Sequence, residues 1–276
     1  MNYGTNTLDR LELKWDFLKF KFKRYFEKQL QIDLDRYVQD VVVIHMKKRK
    51  DRYRKMKQEA SRIKLMVGNF WNKIRIKEGL DGKFLRVRST KDFNPLYTFE
   101  SHYKVDPHPV WKDRKNPKKI RCSDAEIGCT LSHIQVWKDI VRDKTPHTLI
   151  LEDDFFFDTK FQEKFVKVWS EVPEDFDLFY LSTLPSAYGF TWDPHSEDVI
   201  EIHNGVWWLS GYILSYEGAK KLVDNFPVAG PCDMWINHQF KNMSVYATKS
   251  NLIGQRPDTT SDNIYSFEAI HKYWKD

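Results

Sequence analysis

The chain has 276 residues, of which 41% are hydrophobic and 30% are charged. That balance is ordinary for a globular protein and excludes an intrinsically disordered chain. The formal net charge of +6, from 45 Lys and Arg against 39 Asp and Glu, suits a phosphate-bearing ligand. It is too small to indicate a nucleic-acid-binding protein, so no nucleic-acid partner is expected.

Cysteine usage and hydropathy predict the cellular setting. Cys122, Cys129 and Cys232 are too few for a disulfide framework and show no zinc-binding C-x-x-C spacing, which favours a reducing compartment. No run approaches ~18 apolar residues, and the N-terminus lacks the apolar core of a signal peptide. We therefore expect a cytoplasmic protein.

Residues 1–38 are predicted to form a helical extension separate from residues 39–276. Apolar residues recur there at steps of three and four with Lys and Arg between them, which is typical of an amphipathic basic helix. Its apolar stripe is expected to pack on the chain's own domain or on a second copy in a homodimer. Alternatively, the helix lies on an anionic membrane surface and makes the protein membrane-peripheral.

Strand and helix patterns alternate along the rest of the chain. Strands are predicted at 41–46, 73–77, 147–151, 177–182, 206–214 and 243–248, of which 41–46 and 147–151 have the continuous apolar character of buried strands. Helices are predicted from the basic turn 47–54 through about 64 and at 123–142, 159–172, 216–226 and 231–240. This alternation predicts an α/β fold with a mostly parallel central sheet and helices on both faces. The Pro- and Lys-rich stretch 94–121 is predicted to be a mobile surface excursion.

The helix that begins near residue 123 has two features. Ser123 and Glu126 form a capping-box pattern at its start. One of its faces carries small residues at i, i+3, i+4 and i+7: Ala125, Gly128, Cys129 and Ser132. Small side chains permit close approach of either the sheet or a ligand, and the sequence leaves both interpretations open.

The strongest local signal is the acidic triplet Glu152, Asp153 and Asp154, directly after the predicted strand 147–151. Ligands of open α/β sheets collect outside the carboxyl ends of strands. Carboxylate oxygens suit Mg²⁺ or Mn²⁺, which can bridge a pyrophosphate and neutralise a leaving nucleotide. The alternative is a solvated acidic turn before the next helix.

Two more segments carry candidate groups. The basic turn 47–54 joins the first strand to a helix N-terminus, a setting that favours phosphate, with Arg52 as the best candidate. Neither a G-x-G-x-x-G nor a P-loop pattern occurs. Asp233, near the start of a short helix, is interpreted as a general base, with Trp235 as an aromatic wall beside it. The alternative for the basic turn is a solvated helix face, and the alternative for Asp233 is a helix cap.

Several segments of roughly residues 41–265 match one family in order: 43–52 (VIHMKKRKDR), 78–82 (EGLDG), 126–133 (EIGCTLSH) with Trp137, 151–154 (LEDD), 211–219 (GYILSYEGA), 231–233 (PCD, against P-V-D) and 261–262 (SD). Together they resemble the motifs of glycosyltransferase family 25, which contains lipooligosaccharide and procollagen galactosyltransferases. The chain departs from the pattern at His45-Met46, where the family usually has Asn-Leu or Ser-Leu. Residues 1–38 show no counterpart.

The resemblance implies a GT-A-type fold for residues 39–276, a UDP-hexose donor (galactose or glucose), and transfer to a glycan or other hydroxyl-bearing acceptor with inversion. Carried over, Asp154 and Glu152 would hold Mn²⁺ or Mg²⁺. Binding of the nucleotide sugar is assigned to Arg52, Ser132, His133, Glu152 and Asp153, and Asp233 would be the base. His133 has the alternative role of a buried histidine that tethers its helix.

Two other function classes stay open. A metal-dependent nucleotidyltransferase shares an acidic strand end, although it is expected to carry a Gly-rich loop where this chain has Lys and Arg. A non-catalytic glycan-binding protein on the same scaffold is the other. The presence of both acidic sets favours an enzyme over the latter.

Overall fold

The computed structural model of the chain describes residues 34–67, 70–85, 89–109, 119–258 and Ser266. The helix predicted within residues 1–38 falls almost wholly outside these ranges, so its homodimer or membrane contacts stay predictions. None of the described helices has the length and apolar character needed to cross a bilayer.

The described strands are β1 (Asp40–His45), β2 (Ile74–Glu78), β3 (Phe93–Asn94), β4 (Leu96–Tyr97), β5 (Ile120–Arg121), β6 (His147–Glu152), β7 (Phe155–Phe157), β8 (Leu178–Tyr180), β9 (Leu184–Pro185), β10 (Thr191–Pro194), β11 (Val199–Asn204), β12 (Val206–Trp207), β13 (Gly211–Ser215), β14 (Val228–Ala229), β15 (Val245–Thr248) and β16 (Ile253–Gln255). The described α-helices are α1 (Lys50–Val67), α2 (Phe70–Lys73), α3 (Phe99–Val105), α4 (Asp124–Asp143), α5 (Phe161–Glu171), α6 (Tyr216–Asp224) and α7 (Cys232–Asn237).

One eight-stranded sheet, in the order β10-β11-β15-β8-β13-β6-β1-β2, forms the centre of the fold. β11 and β13 run against the direction of the other six strands, so the sheet is mixed although most strands share one direction. The remaining strands form two-stranded pairs at its periphery. The predicted α/β class is confirmed.

Both faces of the sheet are covered, which explains why its central strands are apolar on both sides. Val41 and Val43 of β1 face a core that includes α1 and α5, whereas Val42 faces a second core that includes α4. Alternate residues of a strand point to opposite faces of the sheet, and all three side chains are buried because both faces are covered. Helices therefore lie on both faces, as the alternating pattern predicts.

Helix α4 begins as its sequence predicts. The Ser123 hydroxyl accepts from the Glu126 N–H at 3.2 Å, and the Glu126 carboxylate accepts from the Ser123 N–H at 2.7 Å. The second carboxylate oxygen of Glu126 accepts from the backbone N–H of Ser266 at 3.0 Å. The Ser266 hydroxyl in turn hydrogen-bonds the Tyr97 hydroxyl at 2.7 Å. One buried glutamate thus joins the helix start to a position near the chain's end.

The prediction of a mobile excursion over 94–121 is wrong for the part that the structure describes. Residues 94–109 and 119–121 contain helix α3 and short strands, and Tyr97, Val105 and Ile120 are buried in the core with α4. The Pro and Lys residues dominated the local pattern, whereas burial of the scattered apolar residues depends on contacts distant in sequence.

One strand prediction is also wrong, and one strand pair was missed. The single strand expected over 206–214 is divided into β12 and β13, because Trp208 has a φ of 72° and interrupts the extended backbone. The antiparallel pair β10–β11 was not predicted. Every residue of β10 is exposed, so this edge strand carries no hydrophobic alternation that could reveal it.

The loop after β2 packs directly against α4 at Gly128. A Cβ atom at position 128 would lie 2.3 Å from the carbonyl oxygen of Leu80, whereas one at Gly254 in β16 would meet no atom within 4 Å. The small-residue face of α4 therefore serves close packing at this position, since any side chain would displace the loop.

We expect Gly128→Ala to destabilise the protein and Gly254→Ala to be neutral or slightly stabilising. At 128 the gain of up to ~1 kcal/mol in helix propensity opposes an overpacking cost of about 1–3 kcal/mol against backbone that cannot rotate away. Urea denaturation of both variants measures the difference. A Gly128→Ala variant as stable as Gly254→Ala would contradict this close approach.

Candidate functional site

A cleft of about 610 Å³ lies at the edge of the central sheet where β1, β2 and β6 end. These three strands are parallel neighbours, so their carboxyl ends meet at this edge. The first half of α4 and the start of α7 supply further walls. All seven predicted site residues line the cleft: Arg52, Ser132, His133, Glu152, Asp153, Asp154 and Asp233.

Asp153 is held by two basic side chains from the first strand and the helix after it. Its carboxylate accepts from Arg52 Nη1 at 2.6 Å and from His45 Nδ1 at 2.8 Å. All three side chains are buried. Since a carboxylate only accepts, His45 carries its proton on Nδ1. Asp153 is therefore satisfied within the protein and fixes the position of Arg52.

Asp154 differs from its neighbour in the pairing of its two carboxylate oxygens. Oδ2 lies 3.5 Å from Arg52 Nη1, but Oδ1 is buried without a hydrogen-bond partner among the described residues. Burial and the nearby carboxylate of Glu152 raise the pKa of Asp154 to about 7, against the opposing effect of Arg52. A divalent cation would relieve both the unpaired oxygen and the crowded negative charge, so the residues fit an oxygen-ligated ion.

Glu152 lies beside a buried hydrogen-bonded chain. Its Oε1 is 3.5 Å from His133 Nε2, and His133 Nδ1 is 2.8 Å from the hydroxyl of Tyr212 in β13. The same hydroxyl accepts from Trp137 Nε1 at 2.9 Å. His133 is fully buried and tethers α4 to the sheet while its second nitrogen faces the cleft. Both interpretations of this histidine are thus compatible with its contacts.

Asp233 lies in the first turn of α7 and is partly exposed to the cleft. Its Oδ1 accepts from the N–H of Met234 at 2.9 Å, and the backbone of Trp208 also hydrogen-bonds it. Burial, aided by the Glu152 carboxylate, raises the pKa of Asp233 despite these bonds. The helix's N-cap residue is Pro231, so Asp233 does not cap it.

A family model described as glycosyltransferase family 25 (LPS biosynthesis protein) matches residues 38–236, which is most of the chain. The chain belongs to glycosyltransferase family 25. Procollagen galactosyltransferase 2 from human is 28% identical over 68% of this chain and 28% of its own length. The mouse protein of the same name is 28% identical over 85% of this chain and 39% of its own length.

This family-25 chain therefore spans between about a quarter and two fifths of the length of these relatives. Among solved structures, UDP-glucose pyrophosphorylase complexed with UDP-glucose covers 86% of this chain at 11% identity and a TM-score of 0.39. A likeness that distant carries no information about the ligand.

Ser132 supports the site rather than presenting a free hydroxyl. Its Oγ accepts from the Leu80 N–H at 2.9 Å and donates to the Gly128 carbonyl at 2.7 Å. It therefore anchors the loop after β2 to α4. Gly128 and Ser132 serve the close packing that the small-residue face permits, while Ala125 and Cys129 line the cleft. A direct contact of Ser132 with the donor stays a prediction.

The aromatic wall of the cleft is formed by residues other than the one predicted. Trp235 is buried in the core, stacked on Trp137 with ring centroids 6.1 Å apart, and the cleft is lined instead by Trp207 and Trp208. The side chain of Trp207 stacks on His102 at 5.2 Å. No local pattern identifies these two residues, because the apolar run 206–214 is typical of a buried strand.

Two polar features of the family-25 site were not assigned a role from sequence. His45, noted only as a departure from the family pattern, binds Asp153. Asp81 pairs with Lys48, and both residues line the cleft. The resemblance of 78–82 to the family's A-x-D-G motif was the signal that could have identified Asp81.

We expect Asp153→Asn to lower the free energy of unfolding by about 3–5 kcal/mol, because it leaves the buried Arg52 charge without its closest carboxylate. The matched control is Asp193→Asn, which removes a carboxylate that pairs with His203 but is 74% exposed, and should cost no more than ~0.5 kcal/mol. Urea denaturation measures both. Equal losses in the two variants would show that the buried pair does not stabilise the fold.

Proposed function

We propose that this protein is a glycosyltransferase that moves a hexose from a UDP-sugar to an acceptor hydroxyl with inversion at the anomeric carbon. Galactose is the first candidate for the donor sugar and glucose the second. The observation that carries the proposal is one cleft that holds both Asp154, with an unpaired buried oxygen, and Asp233, a partly exposed carboxylate of raised pKa. Membership of glycosyltransferase family 25 and the similarity to procollagen galactosyltransferases support it.

Asp233 is proposed as the general base. The acceptor oxygen forms a bond to the anomeric carbon, its proton passes to the Asp233 carboxylate, and the bond from that carbon to the diphosphate oxygen breaks. A raised pKa makes Asp233 a stronger proton acceptor than an ordinary aspartate. The backbone donors from Met234 and Trp208 hold the carboxylate in a fixed orientation.

Glu152 and Asp154 are proposed to hold Mn²⁺ or Mg²⁺, which would supply positive charge for the departing diphosphate. Within the same cleft, Asp153 contributes indirectly by orienting Arg52, whose guanidinium lies 3.5 Å from Asp154. Arg52 thereby adds a fixed positive charge beside the donor phosphates. The proposed cation ligands follow strand β6, whereas the proposed base lies in helix α7, so the two groups reach the cleft from different elements.

The acceptor is proposed to be a sugar or another hydroxyl-bearing group of a glycoconjugate. Trp207, Trp208 and Leu184 line the cleft and offer apolar surface against which a sugar ring can pack. This apolar surface supports transfer to a sugar-like acceptor rather than to water.

The first test measures UDP release from UDP-galactose and UDP-glucose with a glycan acceptor, in Mn²⁺, in Mg²⁺ and with a chelator. We expect metal-dependent turnover and a fall of about 10²–10³-fold in kcat for Asp154→Asn, because it removes a carboxylate ligand of the cation that would neutralise the departing diphosphate. Asp193→Asn is the control and should keep full activity.

Full activity in chelator, or in Asp154→Asn, would contradict the metal assignment. Product analysis separates the function classes. Release of UDP indicates glycosyl transfer, whereas formation of UTP from UDP-sugar and pyrophosphate indicates nucleotidyl transfer. Binding of a glycan without turnover of any donor would indicate the non-catalytic protein.

The second test is the pH dependence of kcat. Because the base must be deprotonated and the pKa of Asp233 is raised, activity should fall as the pH drops through a value above that of an ordinary aspartate. Asp233→Asn should lower kcat by about 10²–10⁴-fold with little change in KM and should abolish this acidic limb. An unchanged profile in Asp233→Asn would reject Asp233 as the base.

A further inference from the structure

Three sulfur and nitrogen groups converge on the wall of the cleft. Potential ligand atoms of Cys129, His133 and Cys232 all lie within 4.8 Å of one another. Cys129 and His133 are four residues apart on one face of α4, and Cys232 opens α7. The family segment that 231–233 resembles has Val at the middle position, so the second thiol distinguishes this chain from that pattern.

A fourth group lies beside two members of the cluster. Oε1 of Glu152 is 3.6 Å from Cys129 Sγ and 3.5 Å from His133 Nε2. In tetrahedral zinc sites with Zn–S and Zn–N bonds of about 2.3 and 2.0 Å, neighbouring ligand atoms are roughly 3.3–3.8 Å apart. The contacts of Glu152 with Cys129 and His133 are already at that spacing. Glu152 lies outside the trio whose atoms are all within 4.8 Å of one another, so metal binding would have to draw Glu152 and Cys232 together.

The surroundings of His133 suit a metal ligand. Its Nδ1 contacts the Tyr212 hydroxyl at 2.8 Å, which leaves Nε2 directed at Glu152. A hydrogen bond to the distal ring nitrogen is what fixes the orientation and tautomer of ligating histidines. With metal bound, Nδ1–H would donate to the Tyr212 oxygen, which can accept from both His133 and Trp137. The cleft provides the entry path.

We propose that Cys129, His133 and Cys232, with Glu152 as the fourth ligand, form a binding site for Zn²⁺ or a similarly soft divalent cation. Two thiolates and an imidazole favour Zn²⁺ over Mg²⁺ and Mn²⁺, which prefer oxygen ligands. The site is therefore chemically distinct from the oxygen site of Asp154. It shares Glu152 with that site, so Zn²⁺ bound here would withdraw Glu152 from the donor cation and inhibit turnover. The inference goes beyond the proposed function and does not rest on it.

The test is a Co²⁺ titration of the reduced, metal-stripped full-length chain under anaerobic conditions. We expect thiolate-to-cobalt charge-transfer absorption, with d–d bands of tetrahedral intensity, at one equivalent and abolished by Zn²⁺. Cys129→Ser and Cys232→Val should each lose at least half of the charge-transfer absorption. Cys122→Ser is the matched control, because Cys122 is as buried as Cys232 but lies outside the cluster, and it should keep the spectrum.

Two further measurements test the proposed zinc ligands independently. Tyr212→Phe should keep the tetrahedral spectrum but weaken Zn²⁺ affinity by ~10–100-fold, the range typical of lost support to a ligand. Zinc-edge X-ray absorption of the wild-type protein needs no variant and should show two sulfur neighbours. Absence of the thiolate band, a zinc environment of oxygen and nitrogen alone, or a loss in Cys122→Ser equal to that in Cys232→Val would each overturn the proposal.

Discussion

The buried contact of Asp153 with Arg52 and His45 is the interaction on which the architecture of the cleft depends. It joins the residue after β6 to the end of β1 and to the first turn of α1. A charge this deeply buried is tolerated only when it is paired, so the geometry is strongly determined. The contact also separates the roles of the three adjacent acidic residues. Asp153 is hydrogen-bonded to protein side chains, whereas Glu152 and Asp154 offer carboxylate oxygens to the cleft.

A second constraint is the close approach of the loop after β2 to helix α4. Gly128 leaves room for the backbone of Leu80, and Ser132 clamps that backbone with its hydroxyl. The loop carries Asp81 to the cleft, where Lys48 pairs with it. The small residues of α4 thus shape the site indirectly, because they determine how closely the loop that carries Asp81 approaches the ends of the strands.

The features that could be predicted from the sequence are those that depend on local residue patterns. The alternation of strands and helices, the capping box at Ser123, and the position of Glu152 and Asp154 at a strand end are all read from short segments, and their placement follows from parallel strands ending at one edge. Side-chain partnership was not predictable in this way. Asp153 meets Arg52 across about a hundred residues, and the left-handed backbone at Trp208 reverses the expectation from an apolar run.

The bridge from Glu126 to Ser266 bears on where this domain ends. The family match stops at residue 236, yet a carboxylate that caps α4 takes its second donor thirty residues later. Burial raises the pKa of Glu126. Loss of the Ser266 N–H would therefore leave a buried carboxylate oxygen without a hydrogen bond at the start of the helix that carries Cys129 and His133. Truncation at residue 236 would remove this donor together with strand β15 of the central sheet, so the structure that supports the cleft extends beyond the homologous segment.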